Sequence, residues 1–189
     1  MVTLEQINRY RKAYKNWISV MWNLYRKKEP IIAILKNGLK LNLNYLEAIL
    51  LSFAIKIGLD EDKSLELIKN EKILFRNKEI VLHGMTHDGD VKGVFFNEEY
   101  KFLDVKDKIV IDIGANIGDS AIYFALNGAK KVIALEPYPA TFAYMLSNIR
   151  DNNLQEKVIP LNAGYGKDGE VTVNPSINNT GGLLLKESI

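Results

Sequence analysis

The residues best suited to chemistry lie in a glycine-containing segment, 110–120, which reads VIDIGANIGDS. Gly114 allows the chain to turn sharply as it leaves an apolar strand, because glycine has no Cβ. Gly118 allows the backbone to come close to a ligand, and the first amides of a helix that begins near Asp119 point towards it. Asp112 can accept hydrogen bonds from a cationic amino group or from loop amides. The segment therefore predicts a ligand site between a strand and a helix.

An acidic residue closes the next apolar strand. Glu136 follows the run KKVIAL, and a carboxylate in this place can accept both ribose hydroxyls of a nucleoside. Pro137 and Tyr138 come directly afterwards and are expected to line one face of the adenine. This strand end predicts the ribose half of a nucleoside site.

A third strand end carries an amide and small residues. Asn162, Ala163 and Gly164 follow the run VIPL, where an adenine edge is expected. Ligands of open parallel sheets bind outside the carboxyl ends of the strands, so three consecutive strand ends predict one nucleoside-shaped site.

The loop residues favour one cofactor over another. A dinucleotide site requires G-x-G-x-x-G, but Asn116 and Asp119 replace its second and third glycines. A carboxylate at Asp119 is unfavourable beside a pyrophosphate at a helix N-terminus. A ligand with a sulfonium and an α-amino group but no phosphate tolerates it. The loop, with Ala115 inside it, therefore predicts S-adenosylmethionine, and an NAD-dependent oxidoreductase is the disfavoured alternative.

Alternating strands and helices must position these residues. Such alternation implies right-handed crossovers and a parallel sheet, hence an α/β, Rossmann-like core. The expected strands cover 108–113, 131–136 and 157–161, and the expected helices cover 118–126 and 141–152.

The chain before this core has different periodicity and predicts three regions in all. These are a helical N-terminal region over 1–70, a β-hairpin and approach segment over 71–104, and a partial cofactor-binding domain over 105–189. Apolar spacing and turn residues predict the elements of the first two regions. The expected helices are 4–25, 31–36, 43–57 and 61–69, and the expected strands are 72–75, 79–82 and 91–96.

The composition of the chain limits the cellular compartment and the binding partners that are expected. There are no cysteines, no apolar run long enough to span a membrane and no secretion signal, which predicts a cytoplasmic protein. His83 and His87 fall in a predicted strand and turn, so no metal site is expected. Residues 1–40 carry a net charge of +7 and the remainder −5. The basic region could meet an acidic partner, nucleic acid or a membrane surface, but a solvated helical face is favoured.

The segments 108–124 (KIVIDIGANIGDSAIYF) and 128–137 (GAKKVIALEP) closely resemble FkbM-type S-adenosylmethionine-dependent methyltransferases, and the approach segment 94–100 (VFFNEEY) is similar to that of archaeal members. The resemblance implies a class I methyltransferase fold and O-methylation of a sugar or other small hydroxyl acceptor, with no nucleic acid partner. It also implies residue roles. It places four residues around the methionine portion: Asp112, Gly114, Asn116 and Gly118. It places Glu136 at the ribose, and Asn162 with Ala163 at the adenine.

The resemblance ends after the third core strand. Nothing after Leu161 resembles the fourth strand with its Ile-Asp-x-Glu-Gly-like segment, so the chain is expected to be truncated there and no catalytic base can be named. A short parallel sheet exposes an apolar edge, which predicts a homo-oligomer or a partner chain that completes it. The alternative is an inactive cofactor-binding fragment that acts as an assembly or regulatory partner.

Overall fold

The computed structural model describes residues 3–85, 90–166, 171–172 and 186–187. It divides the chain into two compact units, Met1–Ile80 and Val81–Ile189. The three-region division drawn from the sequence stays a prediction. In the described residues no helix is both long and apolar enough to cross a membrane, and the cytoplasmic location also stays a prediction.

Four helices belong to the first unit: α1 (Leu4–Ala13), α2 (Trp17–Tyr25), α3 (Tyr45–Lys56) and α4 (Glu61–Lys69). The single helix predicted over 4–25 is wrong, because the chain is extended at Tyr14, with φ −120° and ψ 139°. The Tyr14 backbone bridges to Leu35, and its buried hydroxyl donates to the Ala48 carbonyl at 2.7 Å. Tertiary contacts therefore interrupt an apolar pattern that is continuous in the sequence.

Two hairpins accompany these helices among the described residues: β1 (Ile31–Ile34) with β2 (Lys40–Leu43), and β3 (Lys72–Phe75) with β4 (Lys78–Val81). Val81, the last residue of β4, is the first residue of the second unit. The helix predicted over 31–36 is wrong. Ile31, Ile32 and Ile34 are β-branched and favour a strand, and Gly38 supplies the left-handed conformation of the turn, with φ 99°. The hairpin predicted over 72–82 is confirmed in type.

The second unit contains the predicted strand–helix alternation: β5 (Ile109–Ile113), α5 (Asp119–Leu126), β6 (Lys131–Leu135), α6 (Pro139–Asp151) and β7 (Val158–Leu161). The three strands are parallel and lie in the order β5-β6-β7, with Ile111 paired to Ile133 and Ile133 paired to Ile159. The predicted α/β, Rossmann-like architecture is confirmed. A two-residue antiparallel pair, β8 (Val171–Thr172) with β9 (Lys186–Glu187), follows.

The two faces of the parallel sheet differ in burial. Val132, Ala134 and Val158 are buried on the face that α5 and α6 pack against. The opposite face, called here the uncovered sheet face, exposes large aliphatic side chains. Its most exposed members are Ile109, Ile111, Ile113, Ile159 and Leu161.

A π-helical turn (Lys92–Phe96) replaces the strand predicted over 91–96. Val91, Val94 and Phe95 are all buried, and their spacing of three and four residues places them on one side of a helical turn. The Phe95 ring packs edge-on against Tyr123 of α5 at a centroid distance of 5.9 Å. The strand prediction is wrong because the β-branched and aromatic run is buried as a helical face.

Candidate cofactor site

Left-handed backbone shapes the glycine loop between β5 and α5. Gly114, Asn116 and Gly118 have φ values of 78°, 51° and 85°. The amides of Gly114 and Ala115 both donate to the carbonyl of Leu135 at 2.9 Å, which ties the loop to the end of β6. The loop is therefore held by main-chain hydrogen bonds.

The two predicted glycines meet different surroundings. A Cβ at Gly114 would have no other atom within 4 Å, so open space lies over this residue. A Cβ at Gly118 would lie 2.8 Å from Cγ of Met145 in α6. Packing of α6 against the loop thus requires glycine at 118, and close approach of a ligand there stays a prediction.

Glu136 connects the loop to the end of β6. Its side chain is buried; Oε2 accepts the Asn116 amide at 2.9 Å and Oε1 accepts the Tyr138 amide at 2.8 Å. Two acceptor positions of the carboxylate are therefore used inside the protein, and two remain by valence. The predicted role of Glu136 at the ribose stays a prediction.

Asn162 joins the third strand end to the second. Its Nδ2 donates to the carbonyls of Glu136 at 2.8 Å and Pro137 at 3.2 Å. Asn162 and Ala163 are exposed beside this connection. The structure thus brings the predicted residues of all three strand ends together, while their contacts with adenine stay predictions.

Two carboxylates lie on either side of the glycine loop, Asp112 in β5 and Asp119 at the start of α5. Ser120 Oγ donates to Asp112 Oδ2 at 2.7 Å, and burial raises the pKa of Asp112. Asp119 is almost completely buried; its Oδ2 accepts the Asp90 amide at 2.7 Å. Burial raises the pKa of Asp119 to about 6, although the amides of Ser120 and Asp90 oppose the shift. Desolvation disfavours the charged form of both groups.

Tyr100 lies among these acids. Burial raises the pKa of its hydroxyl, and the nearby carboxylates, Asp112 first, raise it further. Its ring packs against Phe124 of α5 at a centroid distance of 5.1 Å. This arrangement creates a region of negative potential at the carboxyl end of β5, which favours a cation.

Asn148 of α6 fixes the segment before the site. It is fully buried; Oδ1 accepts the His83 amide at 2.6 Å, and Nδ2 donates to the carbonyls of His83 at 3.1 Å and Ile117 at 2.9 Å. Asn152, one helical turn later, makes a reciprocal pair with the Val81 backbone. Sequence reasoning missed both residues, although two asparagines four apart on a predicted helix were a readable signal.

The histidines considered for metal binding lie elsewhere. His83 Nε2 is 2.8 Å from Asp151 Oδ2 on the surface of α6. His87 lies outside the described residues. Within residues 3–85 and 90–166, His, Asp and Glu side chains form no cluster of three that could hold a metal ion.

The residues present fit S-adenosylmethionine. The loop leaves open space at Gly114, and the carboxylates of Asp112 and Asp119 suit the cationic sulfonium and amino groups. Both carboxylates would be unfavourable beside a pyrophosphate, which is also negatively charged. This chemistry agrees with the cofactor that the sequence predicts.

A family model described as the TRM5/TYW2 methyltransferase domain matches residues 84–174, just under half of the chain. This segment is a Rossmann-like methyltransferase domain. The match confirms the predicted fold, the methyltransferase class and S-adenosylmethionine as the cofactor.

Two curated relatives share parts of the sequence. The tRNA(Phe) (4-demethylwyosine(37)-C(7)) aminocarboxypropyltransferase of Pyrococcus horikoshii is 28% identical over 101 residues, which cover 48% of this chain and 36% of that protein. The uncharacterized protein 158B of Sulfolobus islandicus rod-shaped virus 1 is 54% identical over 41 residues, covering 22% of this chain and 26% of that protein. The chain thus spans about a quarter to a third of the length of these relatives.

Solved structures with some similarity include Methanocaldococcus jannaschii Trm5 in complex with adenosine, at 27% identity and a TM-score of 0.33, covering 40% of this chain and 22% of that one. Protein arginine methyltransferase 10 of Arabidopsis thaliana is 30% identical with a TM-score of 0.30, covering 38% of this chain and 19% of that one.

These matches leave one expectation without support and overturn another. The FkbM type is not shown, because the matching family model is that of TRM5/TYW2. The expectation that the partner is a small hydroxyl compound and not a nucleic acid is wrong, because the Pyrococcus relative is named for a reaction on tRNA(Phe). The error came from the resemblance, which depends on residues predicted to contact the cofactor and contains no information about the acceptor.

Proposed function

We propose that this chain is an S-adenosylmethionine-dependent transferase that modifies RNA, with tRNA as the first substrate class to test. The observation that carries the proposal is the match of residues 84–174 to the TRM5/TYW2 methyltransferase domain. The similarity to the Pyrococcus tRNA(Phe)-modifying enzyme supports the same class of acceptor.

The chain's own residues bind and orient the cofactor in this proposal. Asp112, near the end of β5, lies at the positively charged end of the cofactor, and the buried Asp119 at the start of α5 adds negative charge nearby. Glu136 accepts ribose hydroxyls with the acceptor positions left by the two loop amides. Asn162 and Ala163 lie at the adenine edge. The contribution to rate is alignment of acceptor and cofactor.

Bound S-adenosylmethionine supplies a sulfonium with two transferable groups besides the adenosyl carbon, the methyl and the 3-amino-3-carboxypropyl group. The family description favours methyl transfer. The name of the Pyrococcus relative favours aminocarboxypropyl transfer as a second candidate. Methyl transfer leaves S-adenosylhomocysteine, whereas aminocarboxypropyl transfer leaves 5′-methylthioadenosine.

Two radiolabels distinguish these reactions. Purified protein is incubated with S-adenosylmethionine that carries tritium on the methyl group or carbon-14 on the carboxyl group. The acceptor is either an unmodified tRNA transcript or tRNA(Phe) that contains 4-demethylwyosine at position 37, the base in the name of the Pyrococcus relative. We expect one of the two labels to enter the tRNA, with the matching sulfur product in solution. Asp112→Asn is the control that should lose most transfer while remaining folded.

Transfer of neither label, with normal binding of S-adenosylhomocysteine, would reject the transferase proposal and favour the inactive cofactor-binding fragment. Calorimetric titration supplies the binding result. We expect micromolar or weaker affinity for S-adenosylhomocysteine and no binding of NADH, and tight NADH binding would favour the oxidoreductase alternative instead.

A further inference from the structure

An aromatic and basic surface lies on α2 of the first unit and includes none of the residues of the candidate cofactor site. Ile18, Trp22 and Tyr25 are exposed by 67%, 58% and 78% of their surfaces. Their spacing of four and three residues places them on one side of the helix, and Val20 and Leu24 are buried in the core of the unit. We call these three exposed residues and the flanking cations the α2 patch.

The two rings of the α2 patch are close neighbours on the surface of the helix. Trp22 and Tyr25 lie with centroids 6.2 Å apart and planes inclined by 30°. The guanidinium of Arg26 lies 5.9 Å from the centre of the Trp22 ring. Trp22 also borders an open cleft of about 490 Å³, lined in addition by Lys15, Asn16, Trp17, Ile18 and Ser19. A planar aromatic ligand could therefore stack on Trp22 beside a cleft.

The charged side chains of the α2 patch are all positive. Residues 15–28 contain Lys15, Arg26, Lys27 and Lys28 and no acidic residue. None of these four cations forms an ion pair with any described residue. Cations that form no ion pair with the described residues are available to phosphates, the most abundant anions of a nucleic acid.

We propose that the α2 patch binds single-stranded RNA, with unpaired bases stacked on Trp22 and Tyr25 and phosphates at the surrounding cations. The proposal rests on the proposed function, since it assigns a binding surface to the same class of acceptor. Stacking on aromatic side chains beside basic groups is the common mode of single-strand recognition.

Two other occupants fit the α2 patch less well. Protein interfaces are depleted in lysine, whereas three lysines flank these rings. A helix that lies on a membrane inserts a broad apolar face, but the nine-residue α2 buries Val20 and Leu24 within the unit and leaves Ser19 exposed between its apolar side chains.

Fluorescence anisotropy with a labelled 15-nucleotide oligouridylate tests the proposal. We expect Trp22→Ala to weaken binding about tenfold and Trp22→Phe to restore most of the affinity, because stacking on one ring contributes about 1–3 kcal/mol per base. The double variant Lys27→Glu, Lys28→Glu should weaken binding and flatten its dependence on salt. Phe102→Ala, which removes another highly exposed ring, is the matched control and should bind like the unaltered chain.

The outcomes separate this inference from the proposed function. Equal affinity of Trp22→Ala and the unaltered chain, or no binding by the unaltered chain, overturns the α2 patch as an RNA site. Label transfer to tRNA in that same situation leaves the proposed function intact. Loss of affinity in Trp22→Ala without any label transfer supports the patch and rejects the transferase.

Phosphate groups are also present on lipid headgroups. Sedimentation with phosphatidylserine-containing vesicles tests whether the α2 patch binds these instead. Binding to vesicles that depends on Trp22, with no binding to oligouridylate, would assign the α2 patch to a lipid surface and overturn the proposal. We expect oligouridylate binding to be retained when such vesicles are absent and not to require them.

Discussion

At the scale of single residues, Glu136 combines an internal role with the predicted external one. Its carboxylate accepts the amides of Asn116 and Tyr138, so it shapes the loop that would receive the cofactor. The sequence predicted the position of this carboxylate correctly, because acidic residues at the end of a second strand are typical of nucleoside sites. It could not predict the contact with the Asn116 amide, since this contact depends on the left-handed turn at Asn116.

Replacement of Glu136 tests both roles. We expect Glu136→Ala to weaken S-adenosylhomocysteine binding by about 2 kcal/mol, because hydrogen bonds to the carboxylate are lost and two partly buried amides lose their acceptor. Glu136→Gln should be milder, since its amide oxygen still accepts a hydrogen bond. Calorimetry measures the affinity and circular dichroism checks the fold. Unchanged affinity in folded Glu136→Ala would remove Glu136 from the cofactor site.

Asp119 predicts a pH dependence of stability. Its pKa of about 6 in the folded protein exceeds the ordinary value of 3.8, so the folded state favours the protonated carboxyl. This contribution to stability is complete below about pH 4 and is lost as the pH rises through about 6. The free energy of unfolding of Asp119→Asn, measured relative to that of the unaltered chain, should therefore rise by about 1–3 kcal/mol between pH 4 and pH 7.5.

Urea unfolding at pH 4 and pH 7.5 measures this difference. Circular dichroism is the suitable signal, because both tryptophans, Trp17 and Trp22, belong to the first unit and report poorly on Asp119. A stability difference between variant and unaltered chain that is the same at both pH values would show that burial of Asp119 has no such cost.

At the scale of elements, the sequence predicted best where local pattern and burial agree. The observed bounds differ from the expected ones by at most about a residue at each end in β5, β6, α4 and α5. It failed at α1 and α2, where Tyr14 leaves the helix for a bridge to Leu35, and at the π-helical turn, whose β-branched and aromatic residues also suit a strand. In both cases distant contacts decide the local structure, and a single sequence does not reveal them.

The contact between the glycine loop and α6 gives a matched pair of variants. Gly114 and Gly118 are both left-handed, so alanine is strained at each by about 1 kcal/mol. Only at 118 would the new Cβ meet Met145, at 2.8 Å. We expect Gly118→Ala to lower the free energy of unfolding by about 1–3 kcal/mol more than Gly114→Ala does, because of overpacking. If thermal or urea unfolding shows an equal loss of unfolding free energy in the two variants, α6 accommodates the new Cβ at no energetic cost.

At the scale of the whole molecule, the predicted cofactor site and its acceptor differ in how far the sequence reveals them. Three strand ends meet because parallel strands bring their carboxyl ends to one edge, so the grouping of Asp112, Glu136 and Asn162 was predictable. The class of acceptor was not predictable from these residues, because none of them has a predicted contact with it. The net charge of +7 over residues 1–40 is compatible with an acidic acceptor as well as with the favoured solvated helical face.

The uncovered sheet face predicts a property of the protein in solution. Ile111 lies on it with 64% of its surface exposed, and large exposed apolar patches promote association. We expect Ile111→Lys to reduce binding of the dye ANS and light scattering at high protein concentration, with a stability change of about 1 kcal/mol or less. Ile122→Val, a conservative change in the buried α5, is the control and should leave both signals unchanged. Equal scattering by Ile111→Lys and the unaltered chain would contradict this expectation.

The same sheet face has a practical consequence for crystallization. Sulfate salts strengthen the burial of apolar surface because they are excluded from it, so ammonium sulfate should precipitate the unaltered chain at lower concentrations than Ile111→Lys. Polyethylene glycol or a mild chaotropic buffer is accordingly the better starting condition for growing ordered crystals.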